Sequence, residues 1–359
     1  MGHKQVLKHA IGIDVSKDSL SVCSCKLRED LQKDFVMGND VSNTPHGFRL
    51  LLKWIRSQQE GDVFPIVVLE ATGVYHESLS EYLYASGLTV SIMQSGRVKR
   101  YAQSLDQRSK TDLLDSKMLS MLGSERSLAP WTPPSKLLRD LKGLSRERSA
   151  LVRAKSLEKN RAHALGHSSH GNKLTDMRYA KRMKLYKTQI SEIEEEMRVL
   201  VGSDASLSQK MSYLESIPGV SFIASATVVS ETLGFSSITS AKQLASFVGY
   251  DVVLRESGSF KGRTRISKKG NKHVRAVLHM PSMAAVRVDS TLQPFYLRLK
   301  AKKEKPIIGL VATQRKMLLL MYALWKKECY YDPEIAQKKT ASPEGLAAQD
   351  SKLIEQVTS

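Results

Sequence analysis

Two short apolar runs that each stop on a carboxylate constrain this chain more than any other feature. Ala10-Ile-Gly-Ile ends at Asp14, and Phe64-Pro-Ile-Val-Val-Leu69 ends at Glu70. Runs this short and this apolar read as strands buried on both faces, so each carries an acid out at its C-terminal end. Ser19 to Lys26 alternates with a period of two, and Leu31 to Met37 is a weaker third strand, which predicts a small antiparallel meander. Asn43-Thr-Pro45 opens a helix, with Thr44 as cap, Pro45 at the first helical position and Phe48, Leu51, Leu52 and Ile55 as the apolar face. A helix over 75–85, a stop at Gly87 and a strand over 88–93 complete the order β-β-β-α-β-α-β.

A second acidic feature follows in Ser109-Lys-Thr-Asp-Leu-Leu-Asp-Ser-Lys-Met-Leu119, where Asp112 and Asp115 fall in the first turn of a helix. Residues at i and i+3 share a helix face with Cβ atoms roughly 5–6 Å apart. Like charges that close repel unless solvent, a proton or a cation separates them, so the pair is either a solvated surface feature or half of a metal site. The element order bears on the choice, because it is that of an α/β ribonuclease H-like fold. In that fold the first and fourth strands lie side by side, which makes neighbours of Asp14 and Glu70 and lets the Asp112/Asp115 helix pack across them. Four carboxylates in one pocket suit two divalent cations about 3.5–4 Å apart, holding the attacking and leaving oxygens of a phosphoryl transfer. Mg²⁺ is the expected ion, since every ligand is a hard oxygen.

Charge points to the partner. The 359 residues hold 55 Lys+Arg against 36 Asp+Glu, a net charge of +19. Such an excess suits a polyanion, either nucleic acid or an acidic membrane surface. Three cysteines, Cys23, Cys25 and Cys329, make no disulfide framework and no complete zinc set, which implies a reducing compartment. The N-terminus has no apolar signal core, and no stretch reaches the roughly 18–20 uncharged apolar residues of a membrane span. The most apolar late segment, Ile307 to Trp325, is cut by Gln314-Arg-Lys316. The expected partner is therefore nucleic acid and not a membrane.

Pro130-Trp-Thr-Pro-Pro134 marks a boundary after a first domain, 1–134. Over 135–204, Leu137, Leu141, Leu144 and Leu151 and then Met183, Tyr186, Ile190, Ile193, Met197 and Leu200 follow heptad-like spacing on either side of a break at 166–171. This predicts a helical coiled-coil hairpin, either a core helix pair or an oligomerisation arm. Its basic residues, Arg146, Arg148, Arg153, Lys155, Lys159 and Arg161, read mostly as a solvated face. A third region, 205–330, is mostly α. Leu214-Glu-Ser-Ile-Pro-Gly-Val220 resembles the turn of a helix-hairpin-helix element, in which the backbone around Gly219 meets a phosphate, although a plain helix-helix turn uses the same Pro-Gly. From Arg255 to Arg275 the cations Arg255, Lys261, Arg263, Arg265, Lys268, Lys269, Lys272 and Arg275 face one acid, Glu256, with glycines at 258, 262 and 270. That stretch reads as a phosphate-binding loop. Ser257 and Ser259, which flank Gly258, are phosphate ligands, turn formers or a nucleophile. Helices follow over 271–288, 295–301 and 308–325, and a polar tail over 331–359.

Gly12-Ile-Asp14-Val-Ser-Lys17, Glu70-Ala-Thr-Gly73, Lys110-Thr-Asp112 with Asp115, Ile217-Pro-Gly219, Ser257-Gly258, Ile266-Ser-Lys268 and Gly270-Asn271 together resemble, in order, the motifs of DEDD transposases of the insertion-sequence 110 family. The resemblance runs over about 10–325. It implies a RuvC-like domain whose acids Asp14, Glu70, Asp112 and Asp115 bind Mg²⁺. It also implies a transposase domain whose Ser257 attacks a DNA phosphodiester to form a covalent intermediate. It further implies a bridge RNA that pairs with target and donor double-stranded DNA, and a homotetramer, a dimer of dimers, in which the serine of one protomer completes the acidic site of another. A cytoplasmic, nucleoid-associated bacterial or archaeal protein is expected. The sequence departs from the family pattern at Ser116, Ser221 and Tyr250-Asp251, none of them a proposed catalytic position. Two other readings compete: a metal-dependent junction-resolving nuclease that uses water in place of the serine, and a non-catalytic nucleic-acid-binding protein.

Overall fold

The structure is a computed structural model that describes residues 5–71, 73–105, 111–167, 172–253, 256–257, 260–262, 265–302 and 305–334, with backbone only at 256, 260 and 261. Arg255, Gly258, Ser259, Arg263 and the tail beyond 334 lie outside the described residues. The chain divides into two compact units, 1–133 and 134–359, at the Pro-rich boundary.

The first unit is built on β1 (Val6–Val15), β2 (Ser19–Arg28), β3 (Lys33–Met37) and β4 (Val41–Ser42), followed by α1 (Pro45–Ser57), β5 (Ile66–Glu70), α2 (Glu77–Ala85), β6 (Thr89–Met93), α3 (Ser95–Ser104) and α4 (Asp112–Glu125). The sheet order is β3-β2-β1-β5-β6, with β4 paired to β2. The β1–β2 and β2–β3 pairs are antiparallel, and the β1–β5 and β5–β6 pairs are parallel. This topology is the ribonuclease H-like arrangement. Thr44 caps α1 by accepting from the Gly47 N–H, and Pro45 occupies its first turn.

Strand alternation sorts the side chains between two layers. Ile11, Ile13, Val67 and Leu69 pack with Phe48, Leu51 and Ile55 of α1 and Leu79 and Leu83 of α2. On the other face Val68 and Met93 pack with Val98 and Tyr101 of α3 and Met118, Leu119 and Leu122 of α4. Because both faces are covered, β2 is buried over Leu20–Cys25, not on alternate residues as its period-two pattern predicts. Ser21, Cys23 and Cys25 are small enough to lie under α4, where the Cys25 thiol donates to Ser124 Oγ at 3.3 Å.

The second unit begins with α5 (Lys136–Gly166) and α6 (Lys173–Gly202), the expected helical hairpin. It continues with α7 (Ala205–Glu215), α8 (Phe222–Glu231) and α9 (Ala241–Val248). Two small ribbons follow, formed by β7 (Val252–Val253) with β10 (Arg265–Ile266) and by β8 (Glu256–Ser257) with β9 (Phe260–Lys261). The chain then runs through α10 (Lys272–Val277), α11 (His279–Val288), α12 (Leu292–Lys302) and α13 (Pro306–Lys327). The hairpin is not a separate layer: Leu141, Ile193, Met197 and Val201 share one core with Leu214, Val228, Phe235, Leu244, Met317 and Leu318. Its seam fades away from that core, and Leu157, Leu165, Leu174, Met177 and Leu185 are exposed. Nor is its basic face wholly solvated. Arg146 pairs with Glu231, Arg148 with Glu194 and Arg161 with Glu158.

The α13 helix is long and apolar enough by composition to cross a membrane. Here Met317, Leu318 and Met321 are fully buried in the protein core, so its apolarity is accounted for by packing.

Candidate active site

Asp14 and Glu70 are brought together by register. The parallel β1–β5 pairing runs Ala10↔Ile66 through Ile13↔Leu69, so the next residue on each strand is the acid. Ile13 and Leu69 point into the α1/α2 layer, and alternation turns Asp14 and Glu70 to the α4 side. Both are half-buried.

The helix carrying the other two acids is held to the same end by a missing side chain. A Cβ on Gly12 would lie 2.0 Å from the Ser116 carbonyl oxygen and 2.3 Å from the Ser120 nitrogen. At the far end a Cβ on Gly123 would lie 2.7 Å from both Ala10 Cβ and Val68 Cγ2. The α4 helix therefore runs back along β1, and its first turn falls at the C-terminal ends of β1 and β5. Thr111 starts it there, accepting from the Leu114 N–H at 3.2 Å. Asp115, half-buried, and Asp112, exposed, occupy that turn.

Two further residues shape this end and were not read from the sequence as part of it. Asn43 donates through Nδ2 to the Ser16 carbonyl at 2.8 Å and to the Tyr75 carbonyl at 3.2 Å, tying the turn after Asp14 to the turn after Glu70. Ser21, the cross-strand partner of Asp14, donates to Asp40 Oδ1 at 2.7 Å, which ties Asp40 to the strand beside Asp14. In the sequence Asn43 reads only as a helix opener, and no sequence pattern singles out Asp40; both acquire a role through contacts between distant segments.

The donor set fits a hard divalent cation. It is all carboxylate, and among the described residues Glu70 and Asp112 make no ion pair or side-chain hydrogen bond. As they stand, no three His, Cys, Asp or Glu side chains among the described residues are gathered tightly enough to hold an ion.

In the second unit Ser257 is exposed on the β8–β9 ribbon, paired with Phe260. Arg265 pairs with Val253 in the β7–β10 ribbon. Asn271 caps α10 by accepting from the His273 and Val274 N–H groups at 2.9 and 3.1 Å, and its amide donates to Glu231 Oε2 at 2.6 Å. Glu231 is also gripped by Arg146, at 2.7 Å from Nε and 3.0 Å from Nη2. Burial alone would raise the Glu231 carboxyl, but the Arg146 and Asn271 hydrogen bonds hold it below the usual carboxylate range. Arg275 gives one donor to the Val248 carbonyl at 2.5 Å, so it is partly structural. Gly219 serves close packing: at φ +87° it lies against α11, where a Cβ would come 2.6 Å from the Pro281 carbonyl oxygen.

A ribonuclease H-like sheet with acids at the ends of its first and fourth long strands and on a helix pressed against them is a nuclease-type arrangement. Two transposase family models match successive parts of the chain, one described as transposase over 11–165 and one as the IS116/IS110/IS902 transposase family over 211–297. The chain belongs to this insertion-sequence 110 family of transposases.

Pilin gene-inverting proteins of Moraxella bovis and Moraxella lacunata are each 28% identical over 337 residues, covering 91% of this chain and 99% of theirs. An uncharacterized 42 kDa protein of insertion element IS900 from Mycobacterium paratuberculosis is 23% identical over 119 residues, 33% of this chain and 30% of that protein. Among solved structures, Thermus thermophilus RuvC in complex with a Holliday junction substrate aligns at 12% identity with a TM-score of 0.25, covering 34% of this chain and 99% of that one.

Proposed function

We propose that this transposase cuts and rejoins DNA through a covalent phosphoserine at Ser257, with Asp14, Glu70, Asp112 and Asp115 holding Mg²⁺. The observation that carries the reading is the β1–β5 register, which places Asp14 and Glu70 side by side, with the first turn of α4 held at the same end by Gly12. Bound there, Mg²⁺ would neutralise charge on the scissile phosphate and make the serine hydroxyl easier to deprotonate. Ser257 Oγ attacks phosphorus, the P–Oγ bond forms and the bond from phosphorus to the sugar oxygen breaks. The departing oxygen keeps the electron pair and takes up a proton. A sugar hydroxyl from another strand then attacks the phosphoserine and releases Oγ, so strands are exchanged without an outside energy source. Arg255, Lys261, Arg263, Arg265, Lys268, Lys269, Lys272 and Arg275 supply contacts to the phosphate backbone, and the backbone around Gly219 adds one more. A bridge RNA selects target and donor, the working unit is a tetramer, and the site of action is the cytoplasm, where the DNA lies.

The test is trapping on nicked suicide DNA with Mg²⁺. Wild type is expected to give a denaturation-resistant adduct that maps to Ser257, and Ser257→Ala to give none. The same adduct from both proteins, or cleavage without any adduct, would refute the serine step and favour a junction nuclease that uses water. Sequencing of copurified RNA, followed by recombination of matching DNAs, tests the guide; recombination undiminished after ribonuclease treatment would exclude it.

A further inference from the structure

Beside the β7–β10 ribbon the second unit holds an open cavity of about 510 Å³, whose lining includes Tyr250, Ile266, Lys268, Lys272, Arg275 and Gln314. Its composition is divided. Three cations, Lys268, Lys272 and Arg275, are in the lining, and among the described residues none of the three has an ion pair. Ile266, Ala276, Ile307 and Val311 supply apolar wall, and at the base the Tyr250 hydroxyl donates to Gln314 Oε1 at 3.0 Å. The Gln314 amide nitrogen in turn lies 3.0 Å from His279 Nδ1. A surface that only tracks phosphates needs cations and no cavity. An apolar pocket for an uncharged ligand needs no three unpaired cations.

The cations are also held in place. The segment that carries Lys268 is hydrogen-bonded back to the end of α9, with Ser267 N to the Asp251 carbonyl at 2.8 Å, Lys268 N to Gly249 O at 3.1 Å and Asn271 N to Phe247 O at 2.9 Å. Lys268 itself sits at φ +53°, a left-handed conformation that a lysine adopts at a cost and that these hydrogen bonds enforce. Lys272 and Arg275 follow one turn apart on α10.

Resting on the nucleic-acid reading above, we infer that this cavity takes one unpaired nucleotide of a nucleic-acid strand. Its phosphate lies on Lys268, Lys272 and Arg275, its base lies against Ile266, Ile307 and Val311, and the Gln314–His279 pair faces the base edge. The lining chemistry suits a nucleotide laid on an open surface depression: a base joined to a phosphate presents one flat apolar face beside one charged end.

The full-length protein is titrated by fluorescence anisotropy with labelled dT15, rU15 and an abasic 15-mer of the same length and charge. Wild type is expected to bind one base-bearing strand roughly five- to tenfold more tightly than the abasic strand; the DNA and RNA arms show which strand supplies the nucleotide. Val311→Met, which fills the cavity without adding an aromatic surface, is expected to erase that preference while leaving abasic binding unchanged. Ala276→Met, at an exposed position on the same wall, is expected to do likewise and puts folding at no risk. Equal affinities of wild type for base-bearing and abasic strands, or a preference that survives both variants, would overturn the inference alone. Failure of wild type to bind any strand would overturn it together with the reading beneath it.

Discussion

Gly12 and Ser116 meet backbone to backbone: the space for a Cβ on Gly12 is taken up by the Ser116 carbonyl oxygen, 2.0 Å away. That contact sets the depth at which α4 lies on β1, and so where Asp115, the residue before Ser116, stands relative to Asp14. Gly12→Ala is expected to push α4 outward and destabilise the first unit by about 3 kcal/mol, the upper part of the range for overpacking. Thermal denaturation of the variant checks this, and DNA cleavage should fall further than the loss of folded protein explains. A variant with wild-type stability would show that α4 is not held by this contact.

Removing single acids separates chemistry from folding. Asp14→Asn, Glu70→Gln, Asp112→Asn and Asp115→Asn each keep the shape of the side chain and remove its charge. Each is expected to lower the rate of DNA cleavage by at least roughly a hundredfold. Binding of DNA should persist, and so should the melting temperature, because relieving repulsion among neighbouring carboxylates offsets lost hydrogen bonds. Chelation of divalent ions should reproduce the loss in wild type. Single-turnover cleavage rates, with and without chelator, decide the matter.

Glu231 is a buried carboxylate with two donors, and its replacement tests how the start of α10 is held. Glu231→Leu removes the ion pair to Arg146 and the acceptor for the Asn271 amide, at an expected cost of about 3 kcal/mol in the second unit. Because the carboxyl is held below its ordinary value in the folded protein, its contribution is present above the unfolded value and is lost as pH falls through the folded one. Denaturant titrations at neutral and acidic pH should therefore show a smaller acid sensitivity in the variant than in wild type.

His9 gives the opposite sort of titration. Burial, with Lys26 adding to it, lowers this imidazole to about 4, and its Nε2 lies 2.8 Å from Ser24 Oγ. The unfolded chain takes up the proton near the ordinary value of 6.5, so between 6.5 and about 4 it binds more protons than the folded one. Stability is thus full above the unfolded value and declines as pH falls across that window, by roughly 2–3 kcal/mol for this group. In His9→Gln that part of the decline should vanish, which melting curves from pH 7 to 4 would record; an unchanged pH profile would refute it.

Much of this molecule was legible from local pattern. The apolar runs, the Thr44-Pro45 helix start and the heptad-like spacing after residue 135 each depend on residues close in sequence, and each corresponds to an element in the structure. Less legible was whatever depends on what covers an element. The alternating pattern of β2 suggested one solvated face, yet a helix from more than 80 positions later covers it, and serines and cysteines tolerate that burial. Likewise Gly219 reads as a phosphate-facing turn, whereas its positive φ also serves close packing on α11.

The sequence by itself determined the order of elements, the acids at strand ends, the excess of positive charge and the family motifs, because these reside in composition and short-range periodicity. Only the tertiary structure decided that Asp14 and Glu70 are register neighbours, that Gly12 seats the Asp115 helix beside them, that Asn43 ties their two turns together, and that three cations border a cavity with an apolar wall. Those relations come from pairing and packing between segments tens of residues apart, and no local pattern encodes the partner.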